Sequence, residues 1–220
     1  MANMKKLEFY EFAGIVVPGT VVLVGGLLLV IPSTFEIKTL QNVSIGGLGI
    51  GLILAYTAGH LIQSVGNLLE KVWWWTRGGM PTDWVRTEKH NLIADSQRKL
   101  LQGHIRQILT NNTFEINSSL EARHWYSITR QIYAIVAANN HGARIDVFNG
   151  NYGLCRGTAS SLLVLLFAVV FTNWQAWKVE LILVILFSMA IYRMNRFAVH
   201  YGRELFVQFL QISNTTEKQV

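Results

Sequence analysis

Residues 44–67 read SIGGLGIGLILAYTAGHLIQSVGN, with no Asp, Glu, Lys or Arg among them. A helix needs roughly 20 such residues to cross the hydrocarbon core of a bilayer. Within the run, Gly47, Gly51, Ala55 and Gly59 recur at every fourth residue and lead to Gln63. Small residues at that spacing let two helix backbones approach closely, so the run is a candidate packing surface, either against another span of the chain or between copies in a homo-oligomer. His60, Gln63 and Asn67 carry polar groups to membrane depth. Lipid cannot solvate them, and such side chains face a bundle interior or a water-filled cavity. A neutral His60 hydrogen-bonded to another span and a titrating His60 that gates a pore both fit this placement.

Toward the N-terminus, Phe12 to Phe35 is likewise free of charge, which predicts a first span at about 12–32 followed by the second at 44–67. Pro18-Gly19 inside it predicts a kink, because proline lacks the backbone N–H and crowds the preceding turn. Lys5 and Lys6 invite a signal-peptide reading, but Glu8 and Glu11 interrupt the basic leader and the apolar run is longer than a signal h-region. Toward the C-terminus, Arg156 and Lys178 bracket a third apolar run centred on Leu162 to Phe171, and a fourth extends from Val179 to Tyr192. The residues from Asn173 to Lys178 leave room only for a tight turn between these two. The expected fold is therefore an all-α membrane protein: four transmembrane helices in two hairpins, with a helical cytoplasmic insert between them. The segments are a leader and first hairpin (1–67), the insert (68–157), the second hairpin (158–192) and an amphipathic tail (193–220).

Composition agrees with that fold. Hydrophobic residues make up 51%, charged residues only 15%, and mean hydropathy is +0.30, against about 25% charge in a soluble domain. One cysteine, Cys155, excludes an intrachain disulfide and a cysteine-rich metal site. The net charge of +6 suggests an anionic partner until the basic residues are placed. Only Lys38 and Lys178 fall in the short loops between paired spans, and the positive-inside rule then puts both termini and the insert in the cytoplasm. The charge reports topology, and nucleic acid is not expected as a partner.

In the insert, Gly78-Gly79-Met80-Pro81 breaks the helix leaving span two. Asp83 is a candidate N-cap, and Ile93, Gln97, Leu100, Leu101, His104 and Ile108 share a helix side opposite Arg98, Lys99 and Arg106. The polar run Asn111-Asn112-Thr113 stops it. Ser118 with Glu121 fits a capping box, followed by a stripe of Trp125, Ile128, Ile132, Ile135 and Val136, with Arg123 and Arg130 on the other face. Asn139 to Gly142 closes that helix, and the next leads into span three. Arg98, Lys99, Arg123 and Arg130 are candidate contacts for a nucleotide messenger or anionic lipid. In the tail, Arg193, Arg196 and Arg203 alternate with apolar residues, as in a helix lying on anionic membrane lipids.

Catalytic signatures are missing from the sequence. There is no HExxH, GxSxG, Walker A or Rossmann glycine pattern, and His90, His104, His124 and His141 lack metal-ligand spacing. Arg193 and His200 fit the arginine-to-histidine spacing of HEPN ribonucleases, but Met194 stands where those motifs carry a polar residue. No catalytic residue, metal or cofactor is expected, and the chain reads as a non-enzyme.

The opening Tyr10-Glu11-Phe12-Ala13-Gly14-Ile15-Val16-Val17-Pro18-Gly19, the helical insert between paired spans, Phe148 to Gly153 before span three and Arg196 to Glu204 after span four together resemble small bacterial four-span proteins of antiphage-defence loci. The Kiwa membrane subunit and the four-span effectors of cyclic-oligonucleotide systems have that architecture. The resemblance implies an oligomeric effector or membrane-sensor subunit that forms or gates a pore, or anchors a cytoplasmic protein partner; it transfers no ligand residue. A membrane receptor whose basic insert binds a nucleotide second messenger is the alternative.

Overall fold

The computed structural model describes residues 2–30, 45–87, 91–109, 114–173 and 175–217. Lys38, His90, Trp174 and the expected stop at 111–113 lie outside the described residues. The helices are α1 (Ala2–Val30), α2 (Ile45–Thr76), α3 (Pro81–Thr87), α4 (Asp95–Ile108), α5 (Ala122–Ala138), α6 (Ala143–Thr172) and α7 (Trp177–Glu217), and no strand occurs among the described residues. Four helices, α1, α2, α6 and α7, are long and apolar enough to cross a membrane, as expected of a multi-pass membrane protein. The chain divides into two compact units, one formed by 1–72 with 150–195 and the other by 73–149 with 196–220.

In the first unit, backbone meets backbone. A Cβ on Gly19 would collide with the Ala55 carbonyl oxygen, and one on Gly59 with that of Ile15. These contacts run in opposite directions along the two segments, so α1 and α2 are antiparallel there. Close approach of this kind is how helices adhere in lipid, where burial of apolar surface supplies little. Against α6, α1 is parallel: Gly157 abuts Pro18, and Gly25 abuts Leu165.

The second unit has an ordinary apolar core. Trp125, Phe206, Phe209, Leu101, Ile105, Ile132, Val136 and Ile145 are completely buried, and the Trp125 and Phe206 rings stack at 5.9 Å. The Trp125 indole N–H donates to the Thr82 carbonyl at 2.9 Å, which satisfies the one polar atom this side chain carries inward. The α5 stripe is buried through Trp125, Ile128, Ile132 and Val136, with Thr129 beside it, while Ile135 at its edge is half-buried.

Helix termini differ from the sequence reading for local reasons. α2 ends where Gly78 adopts φ 76° and the Gly79 N–H reaches back to the Trp74 carbonyl at 2.8 Å, the bond of a Schellman motif. Pro81 then opens α3, so the preceding Met80, not Asp83, holds the cap position; Asp83 instead accepts the Met80 N–H at 3.1 Å. Ile93 precedes α4, and Leu100 and Ile108 are exposed, because Leu101, His104 and Ile105 take the inward face. Ser118 does not cap α5. Glu121 occupies that position without a side-chain bond, while the Asn117 carboxamide oxygen accepts both the N–H and the hydroxyl of Ser119 in a turn upstream. The tail is no separate surface helix either: it continues α7, and its apolar side, Leu205, Phe206, Phe209 and Leu210, is buried in the second unit's core.

Candidate functional site

The polar residues of α2 separate onto two neighbouring flanks of the first unit. The inner flank begins with Pro18. Having no N–H, Pro18 leaves the Gly14 carbonyl, four residues earlier, without its helical donor. The Gln63 side-chain amide supplies the missing bond, donating to Gly14 O at 2.8 Å. The Gln63 carbonyl oxygen in turn accepts from Arg156 Nη2 at 2.8 Å, and Arg156 Nη1 donates to the Glu70 carboxylate. One relay thus joins α1, α2 and α6. Ser161 adds a bond to the Pro18 carbonyl at 2.7 Å. Glycine makes room for it all: a Cβ on Gly66 would come within 3.5 Å of the Arg156 guanidinium, and one on Gly157 within 3.0 Å of the Gln63 amide.

The outer flank carries Tyr56, His60, Ser64, Asn67 and Lys71, all exposed. At 100° per residue these positions fall within an arc of about 80°. Tyr56 and His60 meet edge to face, with ring centroids 4.6 Å apart. The sequence reading grouped His60, Gln63 and Asn67; the structure turns Gln63 inward and leaves the other two on the outside.

The small-residue run divides as well. Ala55 and Gly59 are buried against α1, whereas Gly47 and Gly51 are exposed and a Cβ on Gly51 would meet open space. Each four-residue step rotates about 40° around a helix of 3.6 residues per turn, so a run from Gly47 to Gln63 winds away from any single neighbour.

The basic candidates of the insert do not gather. Arg98 donates to the Ile116 carbonyl at 2.7 Å, and with Arg86 on Leu120 O and Arg106 on Phe114 O it ties down the irregular segment 114–120. Lys99, Arg123 and Arg130 are exposed at separate places, and Arg193 lies beside Cys155. Arg203 Nε donates to Leu92 O at 3.2 Å, and Arg196 is exposed one turn before His200. Sequence reasoning passed over Glu70 and Arg156 because they bound charge-free runs. The legible signal was Pro18, whose partner carbonyl must find a donor elsewhere.

No family model, curated protein or solved structure matches this chain.

Proposed function

We propose that the chain is an oligomeric protein of the bacterial inner membrane, with four spans in two hairpins and both termini and the second unit in the cytoplasm. It assembles through the outer flank of α2, and that contact forms or gates a pore. The single observation carrying this reading is the exposed line Tyr56, His60, Ser64, Asn67 and Lys71 on a helix apolar enough to cross a membrane. Polar side chains at membrane depth are costly against lipid, which cannot hydrogen-bond them. A second copy or a water column removes that cost, and exposed Gly51 lets another backbone draw near. In an antiphage-defence setting, which the layout resembles, the second unit would receive the trigger.

The anchor reading has an observation of its own. Leu100 and Ile108 are exposed two turns apart on α4, and a Cβ on the intervening Gly103 would meet open space, a surface suited to a helix of a cytoplasmic partner.

The test compares wild type with Tyr56→Leu/His60→Leu/Asn67→Leu, which makes the flank lipid-compatible without touching the inner relay. Native mass in detergent should fall from oligomer to monomer, and release of a dye from proteoliposomes should fall with it. A variant that keeps the wild-type mass overturns the interface. A wild-type oligomer that releases no dye overturns the pore and leaves the anchor.

A further inference from the structure

Like charges repel, so a fold that brings arginines from distant parts of the sequence together needs a reason. In the second unit, Arg144 and Phe148 lie one turn apart at the start of α6 and meet His200 and Glu204, one turn apart on α7. The Phe148 and His200 rings stack at 5.4 Å and 24°. The Arg144 guanidinium carbon is 5.6 Å from the Phe148 centroid, and its Nε is 3.7 Å from the Glu204 carboxylate. The other Glu204 oxygen accepts from Gln208 Nε2 at 2.9 Å, so the carboxylate is held from two sides. Arg196 and Arg203 stand one turn to either side of His200, both exposed. All three guanidiniums lie within electrostatic reach of that imidazole, and the Glu204 carboxylate opposes them.

We infer that this cluster binds a phosphate ester, of the kind carried by an anionic lipid headgroup. Three guanidiniums outnumber the carboxylates of Glu204 and of Asp146, and the planar guanidinium fork matches phosphate oxygens two at a time. Arg144 is the second residue of α6, in a first turn that also carries Asp146. The Leu92 carbonyl fixes Nε of Arg203 and so orients its terminal nitrogens. The apolar run that ends at Tyr192 precedes Arg196 by about one helical turn, so lipid phosphates are the nearest phosphates along the chain.

The full chain is purified in a neutral detergent and stripped of lipid. Its thermal midpoint is then followed while phosphatidylglycerol, phosphatidylcholine or, at constant ionic strength, inorganic phosphate is added. Phosphatidylglycerol should raise the midpoint and phosphatidylcholine should not. Arg196→Gln should weaken the apparent affinity about tenfold, the loss expected for one charge-assisted contact. Arg123→Gln, which removes an equally exposed arginine from α5, should leave it unchanged. Arg144→Gln also breaks the Glu204 contact, so Arg196→Gln, with its exposed side chain, carries the test. Stabilisation by phosphatidylglycerol alone identifies a lipid site, and stabilisation by inorganic phosphate as well extends the site to soluble phosphates. An equal effect of Arg196→Gln and Arg123→Gln, or no shift with either anion, overturns the site.

Discussion

The Gln63 amide donates at 2.8 Å to the Gly14 carbonyl, the group that Pro18 leaves without a donor. Residues forty-nine positions apart are thereby dependent on one another, since Gln63 serves α1 only because proline sits in it. Removing Gln63 strands a carbonyl where water is scarce, a cost of about 1–3 kcal/mol. Gln63→Leu should lose that much in unfolding experiments in detergent. In a Pro18→Ala background the helix recovers its own N–H donor, and Gln63→Leu should then cost measurably less. Equal losses in both backgrounds would contradict the proposed dependence.

The Arg156–Glu70 pair makes a second prediction. Removing one charge leaves its partner uncompensated, whereas removing both can be nearly neutral. Arg156→Met should destabilise by about 2–3 kcal/mol, a reduced figure because both side chains are about one-fifth exposed. Arg156→Met/Glu70→Met should recover most of that loss. A double variant no more stable than the single would show that the pair contributes by packing and not by charge.

Two glycines of α1 and α2 should behave oppositely. Gly19→Ala drives a methyl into the Ala55 carbonyl and should cost about 1–3 kcal/mol or more, because the obstacle is backbone and cannot rotate aside. Gly51→Ala meets nothing within the chain and should be neutral or stabilising by up to about 1 kcal/mol in the isolated subunit, from helix propensity. If Gly51→Ala also lowers the native mass, the exposed end of the run lies in the assembly contact.

Trp125 should dominate the second unit. It is fully buried, stacked on Phe206 and bonded to the Thr82 carbonyl, so Trp125→Ala should cost about 3–5 kcal/mol. Loss of protease resistance in 73–149 is the readout.

Alkaline pH tests the Tyr133 contact. Burial, followed by its 2.6 Å hydrogen bond to the Asp146 carboxylate, pushes the Tyr133 phenol above the ordinary tyrosine value. A group raised on folding stabilises fully below its unfolded pKa of about 10, and the contribution is lost as pH rises from there through the folded value. Wild-type stability should therefore fall across that window more steeply than that of Tyr133→Phe. Parallel profiles for the two proteins would rule out the contact.

Much of this protein is set by sequence alone. Charge-free runs long enough for a bilayer dictate helices, since lipid offers a backbone N–H no other partner than its own chain, and the α5 stripe from Trp125 to Val136 dictates which face is buried. Rotation about a helix axis follows from spacing too, yet which flank of α2 meets a neighbour does not. Gln63 and His60 are three residues apart and equally polar, and only the packing of α1 and α6 makes one an inner partner of Gly14 and Arg156 while leaving the other outside. Arg98 and Arg196 likewise read as equivalent basic residues until the tertiary fold gives the first a backbone carbonyl and sets the second beside His200 and Arg203. The physical reason is range: helix formation and burial periodicity depend on neighbours within a turn or two, whereas a polar group's partner depends on which distant segment arrives, and that is decided by close packing of backbones such as Gly19 against Ala55.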